Sequence, residues 1–397
     1  MRKIIFAVVF FIVSFIQNLA SAVAPNQIDW SAAPKVNSKA ELINYVRNCQ
    51  RNFQPDIPVI LANGLKVDSE KLFTDSELNK DLLAYRMKCT IYSDGSPNSR
   101  ALYQFNYYPG AKVAYAYLNS NTKILSANEK TLYNLAVKIV NEAKAQPTTL
   151  RMELYIHDAI TSRATYYNDT QKMLNGKSVP RFVTATGALI DKRANCQGYS
   201  DAFYMLGRMC GFEVRKVNGT THNEGSNSKS EGHMWNTIKL GGKTYFVDVT
   251  WDDDSFKFSK RLGYNSYIYF NAPAEIASAT HAWDKNSFRN LQVEPDACYY
   301  FTTPEFAATN GDYFGFYVRN TATALDSVAK RIAVEGRKMS WVMTPYEENF
   351  SADNALKKLA REILPKNYNY RSGTYNMGFA RRGKYQLLFF NVNSVRR

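Results

Sequence analysis

Histidine and cysteine are scarce in this chain: four and five residues among 397. The cysteines never fall in a C-x-x-C pair, and there is no H-E-x-x-H, glycine-rich phosphate loop or serine-centred elbow. Those absences leave no sequence support for dithiol redox, zincin, phosphate-loop or serine-elbow chemistry. Apart from Ile4 to Ile16 the chain has no long apolar run, and nothing later is apolar enough to cross a membrane. Basic residues outnumber acidic ones, 50 to 35, for a net charge of +15, yet no arginine-rich block concentrates them. A charge spread this way suits loose attachment to anionic surfaces, such as lipid headgroups or acidic wall polymers, and not nucleic-acid binding.

What is present at the N-terminus reads as an export signal over residues 1–22. Arg2-Lys3 are the positive region, Ile4 to Ile16 the apolar core, and Ala20-Ser21-Ala22 the cleavage site. The apolar core is short of the roughly 20 residues a membrane span needs. The expected product is an exported protein, periplasmic or extracellular. Five cysteines in such a chain leave at least one thiol unpaired. Cys196 and Cys210 share one predicted helix, about 21 Å apart at 1.5 Å per residue, and cannot pair. Cys49 and Cys89 are the two that can bridge, Cys210 reads as a small buried hydrophobe, and Cys298 has no assigned role.

Hydrophobic residues at 45% and charged residues at 21% fit a globular chain with a sizeable core. The 27 Tyr and 23 Phe favour β-rich layers over a helical bundle. Residues 23–123 read as an accessory α/β module: a helix around Ala40 to Val46, a strand at Ile57 to Leu61, a helix over Asp75 to Ala84, and strands at Tyr85 to Tyr92 and Leu102 to Tyr108. Residues 301–397 repeat that order, with helices over Ala322 to Val334 and Ala352 to Ile363 and strands at Met339 to Met343, Tyr368 to Ala380 and Lys384 to Val392. Between them, residues 124–300 form the domain with recognisable chemistry. It opens on a capping box, Ser126 with Glu129, followed by a helix to about Ala145 and a second from Leu150.

The centre of that domain is Asn195-Cys196-Gln197-Gly198-Tyr199. Apolar residues at Tyr199, Ala202, Phe203, Leu206, Met209 and Cys210 predict a helix that starts at Cys196, and Gly211 stops it. A thiol at a helix N-terminus sits where unpaired N–H groups and the macrodipole favour an anion. Downstream, two β-prone runs, His233 to Leu240 and Lys243 to Trp251, flank Gly241-Gly242 and predict a hairpin with a two-residue turn. In that register His233 and Asp248 are diagonal neighbours on one face, roughly 7–8 Å apart at Cα. An imidazole can reach a carboxylate from there, so Asp248 is expected to orient His233 toward the sulfur.

Three stretches resemble the transglutaminase-like superfamily, above all its bacterial secreted branch: Cys196-Gln197-Gly198-Tyr199, Gly232-His233-Met234-Trp235-Asn236 and Val247-Asp248-Val249-Thr250-Trp251-Asp252-Asp253. Thr186 to Leu189, Tyr269-Phe270-Asn271, His281 and Trp283 extend the likeness, which spans roughly Ser126 to Trp283. The resemblance implies an α+β fold, a transglutaminase-like (papain-like) core with a helix-start cysteine packed on an antiparallel sheet. It also implies a catalytic Cys196, His233 and Asp248 that form a thioester on a protein or peptide amide. An amine resolves the thioester to a cross-link, and water to deamidation or cleavage. Asn195 and Gln197 stand where family members commonly carry Gln and Trp, which leaves hydrolysis and proteolysis open. The backbone N–H of Cys196 is one oxyanion donor, and Gln197, Asn195 or Trp235 is the other. A papain-like protease proper and a non-catalytic scaffold with the same fold are the rival readings.

The remaining residues read more plainly. His157 shares a helical stripe with Leu150 and Leu154 and is expected to be packed, His222 lies in a loop, and His281 is expected to be structural. Asn223 to Gly232 is a polar stretch with little to bury, either a lid over the cleft or a plain exposed loop. Asp252-Asp253-Asp254 has no EF-hand spacing, so neither a metal nor a cofactor is expected.

Overall fold

The computed structural model describes residues 28–68, 81–92, 96–169, 180–222, 230–253, 266–283, 285, 288, 291–303, 312–313, 317–336, 339–370 and 372–396. The expected export signal, most of the expected helix over Asp75 to Ala84, Asn223 to Lys229 of the polar stretch, and Asp254 lie outside these residues. The chain divides into two compact units. One takes the described residues up to Lys239 with those in 248–262 and 281–291, and the other those in 240–247, in 263–280 and from 292 onward.

The first unit begins with β1 (Lys35–Val36), α1 (Lys39–Arg51), β2 (Asp56–Leu61), β3 (Ala84–Tyr92) and β4 (Ser99–Tyr107). Ser38 caps α1 by accepting from the Glu41 N–H, and the strands form a sheet in the order β1-β2-β4-β3. Leu42 and Val46 of α1 pack on Ile57, Val59, Tyr103 and Phe105 of the sheet. Ala84, expected to end a helix, opens β3 instead. Cys49 and Cys89 do not bridge; none of the five cysteines is in a disulfide. A helix the pattern did not announce follows, α2 (Pro109–Leu118), started by proline in its first turn, where a missing N–H costs nothing.

Next come α3 (Ala127–Lys144), with both bonds of its Ser126–Glu129 capping box in place, and α4 (Thr149–Thr161). The chain continues through β5 (Thr165–Tyr166), α5 (Ala185–Leu189), β6 (Arg193–Ala194), α6 (Cys196–Cys210), β7 (Glu213–Thr221) and β8 (Glu231–Leu240). It then runs through β9 (Lys243–Val247), α7 (Val249–Asp252), β10 (Phe270–Ala272) and β11 (His281–Trp283). Within the first unit β7 pairs antiparallel with β8, setting Gly219 opposite His233, and with β11, setting Thr221 opposite His281. Gly219 has to be glycine, because a Cβ there would come within 2.1 Å of the Ala282 carbonyl oxygen.

α6 lies on this sheet. Tyr199, Phe203 and Leu206 are fully buried, each worth roughly 1.5–3 kcal/mol of apolar burial. The Ser200 hydroxyl donates to the Trp235 carbonyl at 3.1 Å, and the Asn236 amide donates back to the Ser200 carbonyl at 3.1 Å. Behind the helix, the buried Asp201 carboxylate accepts from the backbone N–H of Gly110 and of Ala185 and pairs with Lys216 at 3.0 Å. The Lys216 ammonium lies 3.7 Å from the centre of the Tyr108 ring. One carboxylate thus ties α2, α5, α6 and β7 together, and no sequence pattern announces it.

In the second unit β9 pairs antiparallel with β10. Gly241 and Gly242, at φ 55° and 81°, supply the turn before β9, as the Gly-Gly pair predicts. The C-terminal part comprises β12 (Asp312–Tyr313), β13 (Tyr317–Val318), α8 (Thr321–Ala333), β14 (Met339–Pro345), α9 (Ala352–Lys358), α10 (Leu364–Tyr368), β15 (Ser372–Arg382) and β16 (Tyr385–Arg396). Tyr368, expected in a strand, ends a helix, because Asn369 at φ 58° closes that helix as a left-handed cap. The sheet order is β12-β13-β14-β16-β15. Its β13-α8-β14 crossover is parallel, and β16 sits between β14 and β15. The N-terminal sheet has the same arrangement, with β1, β2, β4 and β3 in those places.

Candidate active site

The site lies wholly within the first unit. Asn195 is the N-cap of α6, and its side-chain oxygen accepts from the N–H of Gln197 at 3.1 Å and of Gly198 at 3.4 Å. The cap places Cys196 first in the helix, half-buried, with Gln197 beside it. Gly198 lets the helix start sit close to its neighbours: a Cβ there would come within 2.6 Å of the Phe182 carbonyl oxygen. The helix ends as expected, with Gly211 at φ 98°.

Asp248 differs from expectation in one respect. The strand stops at Val247, and Asp248 caps the short helix α7, its Oδ1 accepting from the N–H of Thr250 at 3.0 Å and of Trp251 at 3.2 Å. The β-branched run Val247 to Thr250 reads as a strand, but a side-chain carboxylate that satisfies two N–H groups wins over that propensity. The other oxygen, Oδ2, meets His233 Nε2 at 2.7 Å and His281 Nε2 at 3.0 Å. Four donors therefore surround one buried carboxylate.

His233 is buried and hydrogen-bonded to Cys196 as well as Asp248. Since Nε2 is committed to Asp248, Nδ1 is left to face the sulfur. Burial opposes charge on the ring, yet Asp248 and the Cys196 sulfur overcome it and push His233 up to about 10. For Asp248, burial alone would raise the carboxyl, but His233 and His281 hold it well below the usual carboxylate range. The rings of Trp235, Trp251 and His281 lie 5.9, 5.9 and 5.7 Å from that of His233, so one wall of the imidazole is aromatic.

The three suggested oxyanion partners are placed differently. Trp235 is fully buried against His233 and His281, and the Asn195 oxygen is engaged as the helix cap. Gln197 is half-buried in the helix turn, next to the thiol in sequence. The cluster that could accept a metal among the described residues is His233, Asp248 and His281, with ligand atoms all within 4.8 Å. Both imidazoles already direct Nε2 at the carboxylate, so an ion there would have to displace those hydrogen bonds and the orientation they give His233. Sequence reasoning ranked His281 as structural; its hydrogen bond to Asp248 joins residues 33 apart in the chain and leaves no local signal.

Of the other candidates, His157 is fully buried in α4, as its stripe implied, and pairs with Asp158 at 2.9 Å and Asp252 at 3.4 Å. Asp253 accepts a hydrogen bond from the Tyr199 hydroxyl at 2.5 Å. The first two carboxylates of the acidic run are therefore internal. Among the described residues no helix is long and apolar enough to cross a membrane.

Residues 133–251 match the family model of the transglutaminase-like superfamily. Human kyphoscoliosis peptidase is 29% identical over 97 residues, which cover 22% of this chain and 15% of that protein. A crystal structure of a TGase overlaps 59% of this chain and 63% of its own at 13% identity, with a TM-score of 0.26. The periplasmic domain of TgpA from Pseudomonas aeruginosa overlaps 38% and 55% at 15% identity, with a TM-score of 0.25. The chain thus spans less than two thirds of each of these relatives. With a cysteine at a helix start, a His–Asp pair beside it and a family match that contains all three, residues 133–251 are transglutaminase-like, within an α+β fold.

Proposed function

We propose that this protein is an exported acyl-transfer enzyme in which Cys196 is the nucleophile, His233 its base and acid, and Asp248 the residue that orients the ring. The observation that carries the reading is His233 itself, buried between a thiol and a carboxylate and raised to about 10 by both. An imidazole hydrogen-bonded to a thiol on one side and to a carboxylate on the other is the arrangement in which a base activates a nucleophile. The thiolate attacks the carbonyl carbon of a protein or peptide amide. The backbone N–H of Cys196 and the Gln197 side chain meet the oxyanion. His233 protonates the departing amine as the C–N bond breaks, leaving a thioester. Water or a second amine then attacks, giving its proton to His233 and releasing the thiol.

Hydrolysis is the favoured outcome, since Gln197 stands where family cross-linkers commonly carry Trp. The positive charge would hold the exported protein loosely to anionic envelope surfaces near such substrates. The deciding experiment offers the purified protein a glutamine-containing casein, with and without a labelled primary amine. Ammonia or new peptide ends, with little label incorporated, are expected. Amine incorporation that outruns both would make it a cross-linker, and no turnover by wild type beyond that of Cys196→Ala would remove the enzyme assignment.

A further inference from the structure

The acidic run after Asp248 has no part in the chemistry proposed above, yet two of its carboxylates are buried inside the protein. The Asp252 N–H donates to the Asp248 carbonyl and the Asp253 N–H to the Val249 carbonyl, both at 3.1 Å. With the two N–H groups held by the Asp248 side chain, residues 248–253 become one hydrogen-bonded unit. Moving any part of it moves the carboxylate that orients His233. Side chains that fasten this unit to the rest of the fold include His157 of α4, paired with Asp252, and Tyr199 of α6, bonded to Asp253.

The second fastening is the informative one. Tyr199 lies on the first turn of α6, its N–H bonded to the Asn195 carbonyl at 3.1 Å, three residues after Cys196. Its hydroxyl is buried, as is the Asp253 carboxylate it reaches. The bond joins two buried groups, so losing the donor removes one of the carboxylate's hydrogen bonds where water does not replace it. The Tyr199–Asp253 bond therefore joins the helix end that carries the nucleophile to the turn that carries the orienting carboxylate, at a point where a shift of well under 1 Å would alter the Cys–His contact.

We propose that Tyr199 and Asp253 are positioning residues that set the register between Cys196 and the Asp248–His233 pair. This rests on the thiol reading of the site. Three variants of the full chain test it: Tyr199→Phe, Asp253→Ala and Asp253→Asn. Cys196 alkylation by iodoacetamide is followed from pH 5 to 9, and the imidazole N–H proton between His233 and Asp248 by NMR. Tyr199→Phe and Asp253→Ala should each alkylate on the order of tenfold more slowly at pH 7, the size of one lost hydrogen bond to a charge. Their rate profiles should move toward that of an ordinary thiol, and the imidazole proton should shift or broaden. Asp253→Asn keeps an acceptor for the tyrosine hydroxyl and should stay within about threefold of wild type.

Folded variants that lose only thermal stability, with the wild-type pH profile and imidazole signal, would overturn the proposal. If Tyr199→Phe does not fold, the contrast between Asp253→Ala and Asp253→Asn decides: a slow alanine variant beside a near-normal asparagine variant supports it, and no difference refutes it. Should wild-type Cys196 alkylate like a free thiol, the catalytic reading fails separately. The imidazole proton then still reports whether Tyr199 holds the Asp248 turn.

Discussion

Two buried histidine–aspartate pairs sit on the same short turn, and only one faces a thiol. His233 bonds Asp248 at 2.7 Å and His157 pairs with Asp252 at 3.4 Å, and both rings are buried. In each case burial opposes the charge and is overcome, by Asp248 and the Cys196 sulfur for His233, which rises to about 10, and by Asp158 and Asp252 for His157, which rises to about 9. Electrostatics alone cannot tell them apart. What differs is the second partner: Cys196 at a helix start for His233, a second carboxylate, Asp158, for His157. A perturbed histidine alone does not mark a site, since structural ion pairs shift histidines as well.

Substitutions can break this contrast. Cys196→Ala should lower turnover by at least about 10³-fold, since a nucleophile has no substitute, while thermal stability changes little. Asp248→Asn should be nearly as severe in rate, about 10³–10⁴-fold, because the wrong tautomer of His233 is stabilised. Asparagine keeps the oxygen that caps α7, so the melting temperature should fall only slightly, and a paired rate and melting measurement separates the two effects.

His157→Gln is expected to act the other way round. It should cost stability, roughly 3–5 kcal/mol for stranding the buried Asp252 carboxylate, and leave the Cys196 alkylation profile in place. His157 has a raised folded value, so its contribution is full below the ordinary histidine range and disappears as pH rises through about 9. The gap in melting temperature between wild type and His157→Gln should thus be widest near pH 6 and narrow by pH 10. The smallest effect belongs to His281→Gln, which removes one of four donors to Asp248. A drop of about tenfold in kcat is expected, with KM little changed.

Much of the site was legible from local pattern because its parts are local devices. The apolar stripe from Tyr199 to Cys210 marks a helix and Gly211 marks its end, so the position of Cys196 at its start followed from spacing. The His233 and Gly241-Gly242 segments were readable for the same reason. Less legible were features that depend on distant partners. Val247-Asp248-Val249-Thr250 has strand-like side chains, and nothing nearby reveals that the Asp248 carboxylate will turn the chain into α7. No pattern announced α2, which starts at Pro109-Gly110 and whose Gly110 N–H is received by Asp201, 91 residues on. His281 and the Asp252 and Asp253 anchors belong to the same class: polar residues whose meaning is set by what the fold brings to them.

The most direct test is the pH dependence of Cys196 alkylation by iodoacetamide, mapped by mass spectrometry in wild type and in His233→Ala. The account predicts labelling that persists well below the ordinary thiol pKa of about 8.5, and that slows markedly at neutral pH in the variant. Labelling that follows an ordinary thiol curve in both proteins, or that waits for unfolding, would contradict it.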